Sequence, residues 1–123
     1  MRLLFDASAL LVFLQGEPGA EAVEELLRRG GRVGAANWAE VAQKVSVAGG
    51  NWPLARGLLL TYDLDVEPVT AADAERAAQL WTRSGPLSLA DRLCLATAER
   101  LDAVACTADR AWGSSERVRQ VRS

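Results

Sequence analysis

The feature that most constrains this chain is an alternation. Short apolar runs that read as buried strands are separated by longer stretches with apolar residues at helical spacing. The strand-like runs are "RLLFD" (2–6), "RVGAAN" (32–37), "LDVEPV" (64–69) and "AVACT" (103–107). Helical stretches fall at 8–15, 19–30, 38–48, 51–63, 70–83 and 88–101. Their ends carry recognisable signals: Asn51 and Thr70 as caps, Pro53 in a first turn, Arg28 and Arg29 late, and Gly49-Gly50 as a stop. Strands alternating with helices predict a parallel sheet covered on both faces, with right-handed crossovers. The expected architecture is a three-layer α/β/α domain around a mostly parallel sheet of four to five strands. The fifth strand would be "ERVRQV" (116–121), at an edge.

A chain of 123 residues fits one domain, 1–123, burying roughly two-thirds of its unfolded surface. No apolar run reaches the roughly 20 residues that span a bilayer. The opening "MRLLFDASALLVFL" is interrupted by Asp6 and lacks a small-residue cleavage site, so it does not read as a signal peptide. A cytoplasmic location is expected. Cys94 and Cys106 sit in apolar surroundings without a CxxC spacing and read as small core residues.

Absences narrow the chemistry. There is no histidine, which excludes Ser-His-Asp and Cys-His nucleophilic sites and histidine-based metal sites. No phosphate-binding glycine loop occurs. A net charge of −2 does not suggest a general nucleic-acid binder. Any catalysis falls to carboxylates and hydroxyls.

Four acids fall where such a fold would gather them. Asp6 follows the first strand, Glu40 the second, Asp91 opens the helix before the fourth, and Asp109 follows the fourth. In a parallel α/β sheet, strand C-termini and helix N-termini share one edge, and ligands bind there where strand order reverses. Each acid also has a simpler role. Asp is a favoured N-cap, worth about 0.3–1 kcal/mol against the helix dipole. "NWAE" (37–40) and "SLAD" (88–91) both resemble capping boxes, with Asn37 as a cap. Crowded carboxylates repel one another, however, and a hard cation such as Mg²⁺ or Mn²⁺ offsets that with oxygen ligands alone.

The ordered set "DASALL" (6–11), "NWAEV" (37–41), "LSLADRLCLATA" (87–98) and "TADRAW" (107–112) resembles a PIN-domain ribonuclease, specifically a VapC-type toxin of a type II toxin–antitoxin pair. The resemblance spans about residues 3–112. It implies Mg²⁺-dependent (or Mn²⁺-dependent) endonucleolytic hydrolysis of RNA, with no side-chain nucleophile. By position it makes Asp6, Glu40, Asp91 and Asp109 the metal-binding and catalytic acids. Ser8 and Thr107 match hydroxyl positions beside the first and last acids, and Asn37 either orients the Glu40 turn or contacts substrate. It further implies a homodimer and a VapB-type antitoxin in a groove beside the site. One departure stands out: nothing acidic follows Asp109 until Glu116, which weakens a second metal position.

RNA needs cations for its backbone. Arg92 and Arg110 directly follow two of the acids and are candidates to rim the site. Lys44 reads as an ion-pair partner of Glu40 one turn away. The segment after Asp109 carries four arginines against one glutamate. The leucine-rich helices at 8–15 and 19–28, with the helix from Trp52, are candidate partner surfaces. Two other readings compete. One is a PIN-like module that binds without cutting. The other is a phosphotransfer or phosphatase α/β domain, disfavoured because Ala7 follows Asp6 and the sole lysine, Lys44, lies in a helix.

Overall fold

The computed structural model describes residues 2–122. Five strands, β1 (Arg2–Phe5), β2 (Gly31–Gly34), β3 (Leu64–Glu67), β4 (Ala103–Thr107) and β5 (Val118–Gln120), form one sheet in the order β3-β2-β1-β4-β5. Every neighbouring pair is parallel. The helices are α1 (Ala7–Gln15), α2 (Ala20–Arg28), α3 (Ala35–Val47), α4 (Trp52–Leu59), α5 (Ala71–Gln79) and α6 (Leu89–Leu101), with a short 3₁₀ turn at Arg110–Trp112. The chain begins in the middle strand, builds outward to β3, then crosses to β4 on the other side. Strand order therefore reverses at β1, and the residue after β1 is Asp6.

The sheet separates two cores, as alternation along its central strands requires. Leu3 and Phe5 face a large cluster with Leu10, Val23, Leu27, Val33, Val41 and Leu59, supplied by α1 to α4 and β2. Leu4 faces a smaller one with Cys94, Ala98, Leu101, Ala103 and Ala105, supplied by α6 and β4. Both cysteines are free and buried. Gly31 has a packing reason: a Cβ there would stand 2.8 Å from the Phe5 ring and 3.0 Å from the Leu3 carbonyl oxygen.

Caps set the helix starts. Asp6, Asn51, Thr70 and Ser88 each accept a backbone N–H from the first turn that follows. The second strand is shorter than expected. It ends at Gly34, and α3 starts at Ala35 rather than at Trp38. Ala35 and Ala36 are strong helix formers, so the helix begins as soon as Val33 has reached the core. Asn37 is thus inside the helix and is not its cap, and Glu40 lies beyond the first turn. The third strand stops before Pro68, α5 ends at Gln79, and α4 at Leu59.

A partly buried ion pair joins α5 to α6. Asp73, 1 % exposed, accepts Arg100 Nε at 2.9 Å and Arg100 Nη2 at 3.0 Å, with Thr97 Oγ1 at 3.2 Å. Burial pushes the Asp73 pKa up, but the Arg100 guanidinium and the Thr70 backbone N–H outweigh it and leave it below the ordinary value.

Candidate active site

The site is built outward from Asp6. The end of β1 carries it into the base of the edge, where it is only 3 % exposed. Its carboxylate accepts the Ala9 N–H at 2.8 Å, which caps α1. Ser8 Oγ donates to it, lying 2.8 and 2.9 Å from its two oxygens. Thr107 Oγ1, at the end of β4, donates to Oδ2 at 2.5 Å. A carboxylate offers about four lone-pair positions. Three donors leave room for one further partner.

Burial raises the Asp6 pKa from 3.8 to about 6, against the lowering by Thr107, Ala9 and Ser8; the charge of Asp91 adds to the rise. Asp91 comes from the first turn of α6. It completes a capping box in which its Oδ2 accepts the Ser88 N–H at 3.0 Å and Ser88 Oγ accepts its own N–H at 3.1 Å. Glu40 reaches in from α3 and accepts Asn37 Nδ2 at 3.2 Å through Oε1. Asn37 also reaches the Ala90 carbonyl at 3.5 Å and so ties α3 to the start of α6. Cys94 lies one turn below Asp91. Burial, and then the charges of Asp6, Asp91 and Glu40, hold its thiol well above the ordinary value. Asn37, bonded to both Glu40 and the Ala90 carbonyl, thus sets Glu40 beside the head of α6, which carries Asp91.

Asp109 stands apart in exposure but is linked by the hydroxyls. Its N–H donates to Thr107 Oγ1 at 3.0 Å. Its Oδ1 accepts the Ala111 N–H at 2.9 Å and caps the 3₁₀ turn. Ser8 Oγ accepts the Ala108 N–H at 2.9 Å, closing a hydroxyl-centred network between the ends of β1 and β4. Gln120 was not among the residues singled out in the sequence. Its Nε2 donates to the Asp109 carbonyl at 2.9 Å and the Gly113 carbonyl at 2.8 Å. A glutamine on a short edge strand carries no motif that would have flagged it.

Capping and ligand binding do not compete here. Asp91 Oδ1, Asp109 Oδ2 and Glu40 Oε2 accept no hydrogen bond among the described residues, while their other oxygens cap or are oriented. No group of three or more His, Cys, Asp or Glu side chains among the described residues converges closely enough to hold a metal ion by itself. Mg²⁺ keeps several of its waters and is usually held by one or two carboxylates. The donor set fits such an ion with the remaining acids acting through water.

The expected basic rim is only partly present. Arg92 turns away and donates Nη1 to the Ala77 carbonyl of α5 at 2.8 Å. Arg110 lines a cleft with Glu17, Gly19, Val121 and Arg122. The intrahelical ion pair expected between Lys44 and Glu40 is absent among the described residues, because Glu40 turns to Asn37 instead. In the C-terminal segment, Arg117 pairs with Asp102 and Arg122 with Glu17.

The fold defines a class: a three-layer α/β domain around an all-parallel sheet, with Asp6 at the point where strand order reverses. A family model described as PIN domain matches residues 3–115, and the chain belongs to that family. No curated protein matches. Among solved structures, the chain is similar to a toxin-antitoxin complex from Klebsiella pneumoniae, with a TM-score of 0.80 at 21 % identity over 98 % of both chains. It is also similar to Mycobacterium tuberculosis VapC20, a sarcin-ricin loop cleaving toxin, with a TM-score of 0.71 at 17 % identity over 93 % of this chain and 97 % of that one. A third is VapBC2 from Rickettsia felis bound to a promoter DNA fragment, with a TM-score of 0.77 at 14 % identity over 98 % of both. The fold is thus that of VapC proteins.

Proposed function

We propose that this protein is a divalent-metal-dependent endoribonuclease and the toxin of a VapBC-type pair. The observation that carries the reading is that Asp6, Glu40, Asp91 and Asp109 stand at one edge of the sheet of a PIN-family chain, Glu40 tied to the head of α6 through Asn37 and the Asp109 backbone tied to Asp6 through Thr107. The acids lie at the sheet edge where strand order reverses, the binding position of open α/β folds.

We assign the roles by residue position. Asp6, Asp91 and Asp109 would hold the cation, directly or through water, and the three donors on Asp6 leave its carboxylate one further lone-pair position. Glu40, set by Asn37, would orient the attacking water. Ser8 and the fully buried Thr107 fix the Asp6 carboxylate, and Arg110 meets the RNA backbone. Bound Mg²⁺, or Mn²⁺, supplies a lower pKa for water and stabilises charge on the phosphate oxygens. No histidine is needed for this chemistry.

A protein partner is supported by an apolar groove of about 530 Å³ between α1, α3 and α4, lined by Leu14, Val45, Ala48, Leu54, Ala55 and Leu58. Leu54 is 72 % exposed and Leu58 45 %. We assign this groove to a VapB-type antitoxin, in line with the toxin–antitoxin complexes that share the fold, and the protein itself to a cytoplasmic homodimer. Among the described residues no helix is long and apolar enough to cross a membrane.

Induced expression in a bacterial host tests the reading. Growth arrest with new RNA 5′ ends at discrete sites is expected, relieved by co-expression of a small adjacent reading frame. Arrest without new 5′ ends would favour a PIN-like module that binds without cutting.

A further inference from the structure

We infer that Gln120 is a positioning residue for Asp109, a role that rests on the nuclease reading above. The loop from Asp109 to Gly113 carries the most exposed of the four acids, and its 3₁₀ turn has no buried residue. Packing fixes it only through Trp112, half-buried against the smaller core. Hydrogen bonds do the rest. At the near end the Asp109 N–H is held by Thr107 Oγ1 at 3.0 Å. The Gln120 amide spans the whole loop, donating one proton to Asp109 O at 2.9 Å and the other to Gly113 O at 2.8 Å.

Register makes this reach possible. Gln120 pairs with Thr107 across the parallel β4–β5 ladder, and the Val121 N–H donates to the Thr107 carbonyl at 2.9 Å. The glutamine therefore stands beside the residue that bonds Asp6. Its Oε1 is buried without a partner. The opposite amide orientation would set that oxygen against two carbonyl oxygens, so the side chain serves here as a pair of donors. Gly113 has φ +67°, a left-handed conformation that lets the chain turn back and present its carbonyl. One amide thus sets both ends of the loop and, with them, where Asp109 Oδ2 points.

The test compares wild type with Gln120→Met, which keeps length without donors, and Gln120→Glu, which keeps shape but only accepts. Mn²⁺ affinity is read by electron paramagnetic resonance and RNA cleavage as a function of Mg²⁺, each also in an Asp109→Asn background. Both variants are expected to weaken Mn²⁺ binding and raise the Mg²⁺ needed for half-maximal cleavage by about 10- to 100-fold. The KM for RNA and the circular dichroism spectrum should stay unchanged. In the Asp109→Asn background neither variant should cause further loss, since the two residues act as one unit. Wild-type Mn²⁺ affinity in Gln120→Met, or losses that add to those of Asp109→Asn, would overturn the assignment. Wild type that binds Mn²⁺ but cleaves no RNA would remove the nuclease reading alone, leaving the Mn²⁺ comparison to decide Gln120. Wild type that neither binds nor cleaves removes both.

Discussion

Thr107 Oγ1 donates to Asp6 Oδ2 at 2.5 Å, joining the ends of β4 and β1 across 101 residues of sequence. The bond favours the ionised carboxylate against the burial that opposes it. Thr107→Val keeps the volume and removes the donor. We expect the acid limb of the pH–rate profile to move to higher pH and cleavage to fall, with a loss of about 1–3 kcal/mol attached to the vacated bond. Thr107→Ser, which keeps the hydroxyl, should restore the profile. A Thr107→Val profile that matches wild type would detach this hydroxyl from Asp6.

Asp6 is predicted to cost the metal-free protein stability. Its pKa rises from 3.8 to about 6 on folding because it is buried. The unfolded chain therefore releases this proton first. Stability is unaffected below 3.8, declines as pH rises towards 6, and is lower by about 3 kcal/mol above that. Asp6→Asn should raise the melting temperature of metal-free protein at pH 8 and leave it nearly unchanged at pH 4. Equal effects at both pH values would contradict the burial argument.

The same proton couples to the cation. A carboxylate ligand must be ionised to bind. Mg²⁺ affinity measured by calorimetry should be flat above pH 7 and fall about tenfold per pH unit well below 6. Affinity that stays level from pH 7 to 5 would mean Asp6 is not a ligand.

Arg100 tests the scaffold apart from the site. Asp73 is buried but Arg100 is 30 % exposed, so removing the guanidinium leaves a partly hydrated carboxylate short of donors and costs about 1–3 kcal/mol. Arg100→Met should destabilise by that order at pH 7, seen in urea unfolding, with cleavage retained at low temperature. Because the Asp73 pKa is lowered on folding, the stabilisation from its partners exists above 3.8 and disappears as pH falls through the lowered value. The gap between wild type and Arg100→Met should close in acid.

The fold was legible because its signals are local. Alternating apolar runs gave the parallel strands, and Asn51, Thr70 and Ser88 cap where their residue types suggest. Asn37 misled because it is an equally good cap by type. Nothing local says that Ala35-Ala36 would start the helix early and bury Asn37 against Ala90. That the four acids would fall along one edge was legible, since strand ends and helix starts share it. Their partners were not. Arg92 follows Asp91 yet bonds the α5 backbone, and Gln120 bonds the Asp109 loop from an edge strand. Such contacts depend on register and on side-chain direction, which spacing along the chain does not encode.

The most direct measurement is RNA cleavage by purified wild type and Asp6→Asn, both shown to be folded, with Mg²⁺ and with EDTA. Wild type should cut at discrete sites only when Mg²⁺ or Mn²⁺ is present, and Asp6→Asn should lose nearly all cutting at any cation concentration. Cleavage by wild type in EDTA, or by Asp6→Asn at the wild-type rate, would contradict a site built on these carboxylates.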